Sequence, residues 1–320
     1  MKAAVYYETG APDVLCYEDV PDPALGPGGV LVRVAAISIE GGDTLNRLGG
    51  DMPATPHIVG YQCAGTIVAV GDGVTDRIEG QRVVCTMMHG SHAELVAVPA
   101  SFTWPIPNGL DLTLAACIPI AFGTADDCLF EFGRLQAGET VLVQAGAGGV
   151  GIAAIQLAKR AGATVLATAS SDEKLVRLEQ LGLDHGINYR TDDFARVARR
   201  LTDGRGVDLV VDSVGTTIEG SMRSLAYRGR ISYVGDAGRD PQPVDISALK
   251  AGNQSITGVF LGAELITTGR AYANIARLID LVAAGELEVV VDQTFPLSDA
   301  ASAHAYLEDR KAFGRVVLVP

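Results

Sequence analysis

Residues 140–158, TVLVQAGAGGVGIAAIQLA, constrain the fold more than any other stretch, because three signals follow one another there without a gap. Residues 140–144 form a short β-rich apolar run with no breaker, which predicts a strand. Gly146, Gly148 and Gly151 follow as G-x-G-x-x-G. Val150, Ala154, Leu157, Ala158 and Ala161 then recur at helical spacing, giving a helix an apolar stripe to lay on a sheet. Strand, glycine turn and helix in that order make an anion cradle. The first glycine turns the chain sharply, the second admits a pyrophosphate close to the backbone, and the third lets helix and strand pack. The helix start, Gly149 and Val150 included, offers unpaired N–H groups and the positive end of its dipole. The sequence therefore predicts dinucleotide binding.

From about residue 119 strand and helix alternate. Strands are predicted at 164–169, 185–189, 206–212 and 230–235, helices at 172–181, 192–202 and 217–227, and 255–261 supplies a sixth strand. Such alternation means parallel strands with right-handed crossovers, a doubly wound sheet. Residues 1–118 have another texture, with strand-length apolar runs at 30–38, 64–71, 82–87 and 93–99 between Gly/Pro turns such as PDPALGPGG, GGD and VGDGV. That part reads as a β-rich, barrel-like domain. A helix over 268–284 with Ala271, Ile275, Leu278 and Val282 on one face, then EVVVDQTF, a helix at 299–310 and the strand RVVLVP, break the alternation. The expected division is 1–118 with 263–320, and 119–262. The active cleft is expected between these domains, at the C-terminal edge of the sheet.

A net charge of −13 argues against nucleic acid or an anionic membrane as partner. No apolar run reaches the roughly 18 residues of a membrane span. The start MKAAVYYETG lacks the layout of a secretion signal, so a cytoplasmic protein is expected. Cys16, Cys63, Cys85, Cys117 and Cys128 contain no C-x-x-C pair and are expected as buried reduced thiols. The histidines make no metal set: Gly90 turns the chain between His89 and His92, and His57, His185 and His304 stand alone.

An NAD site places a carboxylate at the tip of the second strand, about 20 residues past the glycines, to hold the ribose 2′-hydroxyl. Here that strand ends in Ala169, Ser170 and Ser171, and Asp172 opens a helix, where a first-turn acid meets the dipole. The Ser170 hydroxyl and the Lys174 ammonium suit a 2′-phosphate. NADPH is the expected cofactor, and Asp172 is the residue that keeps NADH open.

The string VLVQAGAGGVGIAAIQLAKRAGA, with PHIVGYQCAGTIVAVGDGV upstream and ATASSDEKLVRLEQLGLDHGINYR downstream, resembles the medium-chain dehydrogenase/reductases. Within them the chain is similar, over essentially its full length, to the zinc-free quinone oxidoreductase branch that includes zeta-crystallin. The resemblance implies a GroES-like β-rich catalytic domain beside a Rossmann domain. It implies that Thr124 of Thr124–Ala125 contacts the nicotinamide end, and that Tyr189 joins Ser170 and Lys174 around the 2′-phosphate. Val214 and the stretch Gly235, Asp236, Ala237 match loops beneath the nicotinamide, with Asp236 where the branch has asparagine, and Asp43 is placed with the cofactor-side framework. Family members commonly dimerise through edge strands, so a homodimer through QSITGVFL at 254–261 is expected.

Zinc alcohol dehydrogenases of the superfamily hold their metal with a cysteine, a histidine of a G-H-E motif and a second cysteine. The matching positions here are Glu40, Tyr61 and Ile120. A catalytic zinc needs about three protein ligands, so no metal is expected. Where the branch often reads N-P-x-D-x-Y-x-R-x-G, this chain reads EGGDTLNRLGG, with Glu40 for the asparagine and Leu45 for the tyrosine. Asp43 and Arg47 remain, as an ion pair or as substrate contacts. Quinones and α,β-unsaturated carbonyls accept hydride by conjugation and need least help from a Lewis acid, so a small molecule of that class is the expected substrate. Tyr61 and Glu40 are the candidate proton donors. Two other readings stay open: an enoyl reductase for a carrier-bound or secondary-metabolite substrate, and a non-catalytic NADPH-binding protein with a structural or regulatory role.

Overall fold

The computed structural model describes residues 1–240 and 242–320. It divides into two units, Met1–Ile120 with Gly262–Pro320, and Ala121–Leu261.

The first unit opens with strands Lys2–Val5 (β1), Cys16–Asp19 (β2), Gly29–Ser38 (β3), Gln62–Val70 (β4), Arg82–Thr86 (β5), Leu95–Pro99 (β6) and Thr103–Pro105 (β7). β3 is the strand the others are built on. Burial alternates along its first residues, so Val30, Val32 and Val34 point into one core. One edge pairs with β4 along its length; the other pairs with β6 over Gly29–Arg33. β1 and β2 form a separate antiparallel ribbon. The strand pattern predicts no helix over 41–49, yet Gly41–Gly49 is one (α1). Gly41 and Gly42 mask it in the sequence; the fold holds it by a bond from the Glu40 N–H to Asp43 Oδ2 at 2.8 Å.

The second unit carries Thr140–Val143 (β8), Thr164–Ala169 (β9), His185–Asn188 (β10), Val207–Asp212 (β11), Leu225–Tyr233 (β12) and Ser255–Gly258 (β13). Between them come helices Gly149–Arg160 (α2), Asp172–Glu179 (α3), Phe194–Leu201 (α4) and Ile218–Ser224 (α5). All pairings are parallel, in the order β10-β9-β8-β11-β12-β13. This is the doubly wound six-stranded sheet that the alternation predicts, and its order reverses between β8 and β11. Two details differ from expectation. The helix predicted over 217–227 stops at Ser224, whose hydroxyl bonds back to the Ser221 carbonyl at 2.7 Å, and β12 begins at Leu225. On α2 the buried face is wider than the predicted stripe, taking in Ile152, Ala153 and Ile155, because the helix packs on β8 and β9 and also against Asp127–Glu131.

The chain then makes helix Gly269–Ala283 (α6), strand Val291–Pro296 (β14), helix Ala300–Glu308 (α7) and strand Arg315–Val319 (β15). β14 pairs with β15, and β15 pairs with β3 at Ile37 and Ser38. Ala271, Ile275, Leu278 and Val282 are buried on α6. The Trp104 ring stacks on Tyr272 of that helix at 5.0 Å and donates its Nε1–H to the Tyr272 carbonyl at 2.9 Å.

All five cysteines are free, four of them buried; Cys16 is exposed, on a strand that exposes three of its four residues, which corrects the expectation for that residue. No helix among the described residues is long and apolar enough to cross a membrane.

Candidate functional site

The glycine turn sits at the C-terminal tip of β8. Gly146 N–H donates to the Thr168 carbonyl at 2.8 Å, and Ala145, held at φ 51°, donates its N–H to Thr168 Oγ1 at 3.1 Å. A Cβ on Gly151 would lie 2.4 Å from the Ala145 carbonyl oxygen and 2.7 Å from Gly146 Cα, so helix and turn touch only because that residue has none. A Cβ on Gly148 would meet only the Ala145 oxygen, at 3.3 Å, which leaves its outer side open for an approaching group. Gly148 is the N-cap of α2, and the N–H groups of Gly149, Val150 and Gly151 form the first turn, where no intrahelical acceptor exists. Such a cradle fits a pyrophosphate.

Behind the turn lies a buried polar chain that sequence reading does not find. Thr168 Oγ1 donates to Gln144 Oε1 at 2.8 Å, Gln144 Nε2 to Ser221 Oγ at 3.3 Å, and Ser221 Oγ to Asp212 Oδ2 at 2.7 Å. Asp212 also accepts from the N–H groups of Val214 and Gly215, at 3.0 and 3.1 Å, and from Thr217 Oγ1 at 2.8 Å. The network ties the tips of β8, β9 and β11 into one rigid shelf. The only signal for it in the sequence is a polar residue closing each apolar strand.

Ser170 and Tyr189 follow the tips of β9 and β10, which pair through Ala169 and Asn188, with the Tyr189 N–H donating to the Ala169 carbonyl at 3.2 Å, and Lys174 lies on α3. Ser170 and Lys174 are half-buried, and Tyr189 is exposed. Ser171 caps α3, accepting the Lys174 N–H at 3.4 Å. Asp172 takes the first-turn place, and its Oδ1 accepts from Asn188 Nδ2 at 2.9 Å. Under the switch point, Ala237 and Gly238 donate their N–H groups to the Ser213 and Val214 carbonyls at 3.1 and 2.8 Å, locking the Val214 and Gly235–Ala237 loops together. Asp236 Oδ1 accepts from the Tyr233 hydroxyl, which is pushed up to about 12 by that bond and by burial. Thr124 lies on helix Pro119–Asp126 and is 7% exposed.

In the first unit, α1 and the start of β4 collect the other candidates. Tyr61 is half-buried, its ring laid against Gly42 so closely that a Cβ there would lie 2.6 Å from Cε2 and 2.7 Å from the hydroxyl oxygen. Asn46 Nδ2 donates to that hydroxyl at 2.7 Å. Burial pushes the Tyr61 phenol up, helped by Asp43 and Glu40 nearby and opposed by the Asn46 bond, so it carries its proton at neutral pH.

Glu40 is 5% exposed, and its Oε1 accepts from Arg315 Nη2 and from Gln62 Nε2. Burial pushes this carboxyl up, against the pull of Arg315. Glu40, a candidate proton donor from the sequence, is thus held by two donors, Arg315 and Gln62. Gln62 Oε1 accepts the Ile120 N–H at 3.0 Å, so one side chain bridges two of the three positions that match metal ligands, and the lone carboxylate among them is already engaged. Among the described residues no group of three or more His, Cys, Asp or Glu could hold a metal ion. Asp43 is fully buried, and burial pushes its carboxyl well up; Oδ2 takes the Glu40 N–H while Oδ1 has no hydrogen-bond partner. Through that bond Asp43 holds the start of α1. Arg47 pairs with Glu308 of α7. His304, assigned nothing from sequence, meets His92: both rings are buried, with Nε2 atoms 3.1 Å apart.

An alcohol dehydrogenase GroES-like domain model matches residues 26–108, and a zinc-binding dehydrogenase model matches 181–318. The chain is 35% identical to a 2-haloacrylate reductase of a Burkholderia species, over 99% of this chain and 98% of that one. It is also 35% identical to a quinone oxidoreductase of Pseudomonas aeruginosa, over 97% of each. A mycobacterial protein solved in complex with NADPH superposes with a TM-score of 0.95 at 37% identity, covering 100% of both chains. The likeness runs through both units and the glycine turn alike, and the chain belongs to the medium-chain dehydrogenase/reductase superfamily, in its zinc-free quinone oxidoreductase branch.

Proposed function

We propose that this chain is a zinc-independent, NADPH-dependent cytoplasmic oxidoreductase that passes a hydride to a quinone or an α,β-unsaturated carbonyl. The observation that carries the cofactor assignment is the corner at the tips of β9 and β10. Ser170 and Lys174 stand where a 2′-phosphate fits, while Asp172 is turned to the helix start and bonded to Asn188. Gly148 and the first turn of α2 hold the pyrophosphate, Tyr189 flanks the 2′-phosphate, and Thr124, Val214 and Gly235–Ala237 border the nicotinamide. NADPH, when bound, supplies the hydride from nicotinamide C4.

Substrate class follows from the metal-ligand positions. Glu40, Tyr61 and Ile120 provide one ligating carboxylate, and Arg315 and Gln62 occupy it. An acceptor activated by its own conjugation suits such a site, and Tyr61 supplies the proton. The five unbridged thiols accord with a reducing compartment. The homodimer forms through β13, an edge strand followed by Phe260 at 64% exposure.

Calorimetric titration with NADPH and NADH in parallel, followed by 9,10-phenanthrenequinone with absorbance at the nicotinamide band, tests this reading. NADPH preference with quinone-dependent oxidation is expected. Tight NADPH binding without oxidation by quinones or enones would instead favour a non-catalytic role, and a monomer by light scattering at micromolar concentration would remove the dimer.

A further inference from the structure

We propose that Asn46 is a positioning residue that sets the direction of the Tyr61 proton. The inference rests on Tyr61 as proton donor. A phenol has one proton to give and lone pairs to accept with. Asn46 Nδ2 donates to Oη at 2.7 Å, which occupies a lone pair on the α1 side and leaves the O–H directed away from Asn46.

The geometry holds this arrangement from every side. Gly42 lies four residues before Asn46, on the same face of α1, and its missing Cβ is what lets the ring lie flush beside the amide. The helix is pinned at its start by the Glu40–Asp43 bond and by Thr44 Oγ1 donating to the Gly41 carbonyl at 2.8 Å. It is pinned at its end by the Gly50 N–H on the Asn46 carbonyl at 2.8 Å. Tyr61 is fixed through its own backbone, its carbonyl accepting the Met87 N–H at 2.8 Å, and through buried Gln62 next to it. The backbones that carry Asn46 and Tyr61 are thus both fixed within the fold.

The chemistry needs an amide here. Bound NADPH would supply hydride to the β-carbon of an enone; the enolate carbon would then take the proton from Tyr61 as the O–H bond breaks, with solvent later reprotonating the phenolate. As the proton leaves, the Asn46 N–H faces a growing negative charge, so its bond strengthens in the transition state more than in the ground state. An aspartate of the same shape has no N–H; its carboxylate would accept a hydrogen bond from the phenol and turn the O–H toward α1.

The test is a mutant cycle with NADPH and 3-penten-2-one. Asn46→Asp is expected to lower kcat about 100-fold, in the range of general-acid effects, with the Kd for NADPH unchanged within about twofold. Asn46→Ala, which removes the donor without offering an acceptor, is expected to lose about tenfold. Tyr61→Phe is expected to lose as much as Asn46→Asp, and the double variant no more than Tyr61→Phe alone, because Asn46 acts only through the hydroxyl. Full turnover in Asn46→Asp, or the same further loss in the Tyr61→Phe background as in the parent, would overturn the inference and leave the Tyr61 reading standing. Full turnover in Tyr61→Phe would remove the Tyr61 reading itself.

Discussion

Arg315 and Glu40, 275 residues apart in the chain, form an ion pair whose side chains are only 8% and 6% exposed. Arg315 also donates to Ser38 Oγ at 2.6 Å and to the Ile39 carbonyl at 2.8 Å, so the first residue of β15 clamps the end of β3 to the start of α1. Breaking one side of a buried pair strands the other charge and costs roughly 3 to 5 kcal/mol.

Arg315→Met should therefore lower stability to urea by about that amount, and the loss should grow with pH. Burial already pushes the Glu40 carboxyl above its ordinary 4.5, and removing the cation pushes it further. The folded variant then keeps a proton that the unfolded chain releases, so stability falls as pH rises from 5 toward the raised value. An equal loss at pH 5 and pH 8 would count against an unpaired Glu40.

His92 gives the opposite slope. Burial lowers its ring from 6.5 to about 3, next to the equally buried His304. Below pH 6.5 the unfolded chain takes up a proton that the folded state refuses, so this contribution is fully present above 6.5 and lost progressively toward 3. Each pH unit in that window removes about 1.4 kcal/mol. Melting temperatures between pH 4.5 and 7 should show the slope, and His92→Gln should flatten it.

Two alanine substitutions separate packing from binding at the glycine turn. Gly151→Ala puts a methyl 2.4 Å from the Ala145 oxygen and should cost roughly 1 to 3 kcal/mol of stability. Gly148→Ala meets one atom at 3.3 Å and should melt near the parent temperature while weakening NADPH by at least about tenfold, since the methyl occupies the open side of the cradle. Equal melting of the two variants would contradict the close approach of helix and turn.

Ser170→Ala and Lys174→Ala should each weaken NADPH about tenfold and leave NADH nearly unchanged, because a charge-assisted bond is worth roughly 1.5 kcal/mol. Ser170→Asp should reverse the preference. Parallel calorimetry with both nucleotides decides it, and equal losses for the two would place the 2′-phosphate elsewhere.

The second unit is the legible one, since each strand and helix there announces itself over one short run of consecutive residues and successive elements pack as neighbours. Six parallel strands follow from that periodicity. The first unit hides more. Helix α1 begins with two glycines, which carry no periodic signal, and without it Asn46 cannot be placed on the face shared with Gly42. Gln62 reads as one more strand residue until its bonds to Glu40 and Ile120 are seen. His92 and His304 are 212 residues apart and carry no spacing motif, so only the fold can pair them.

The pairing of β15 with β3 has a consequence during synthesis. The second unit is continuous, from Ala121 to Leu261, and all its strands are available once that stretch has left the ribosome. The first unit starts earlier but waits for β15, so the half that emerges first is the half completed last. Nascent chains arrested after Leu261 has left the ribosome but before β15 is made should resist protease across the second unit while β3 is still cut. Until then the Ile37 and Ser38 edge stands unpaired, and the clamp from Arg315 is the step that ends the exposure of this incomplete sheet to other chains.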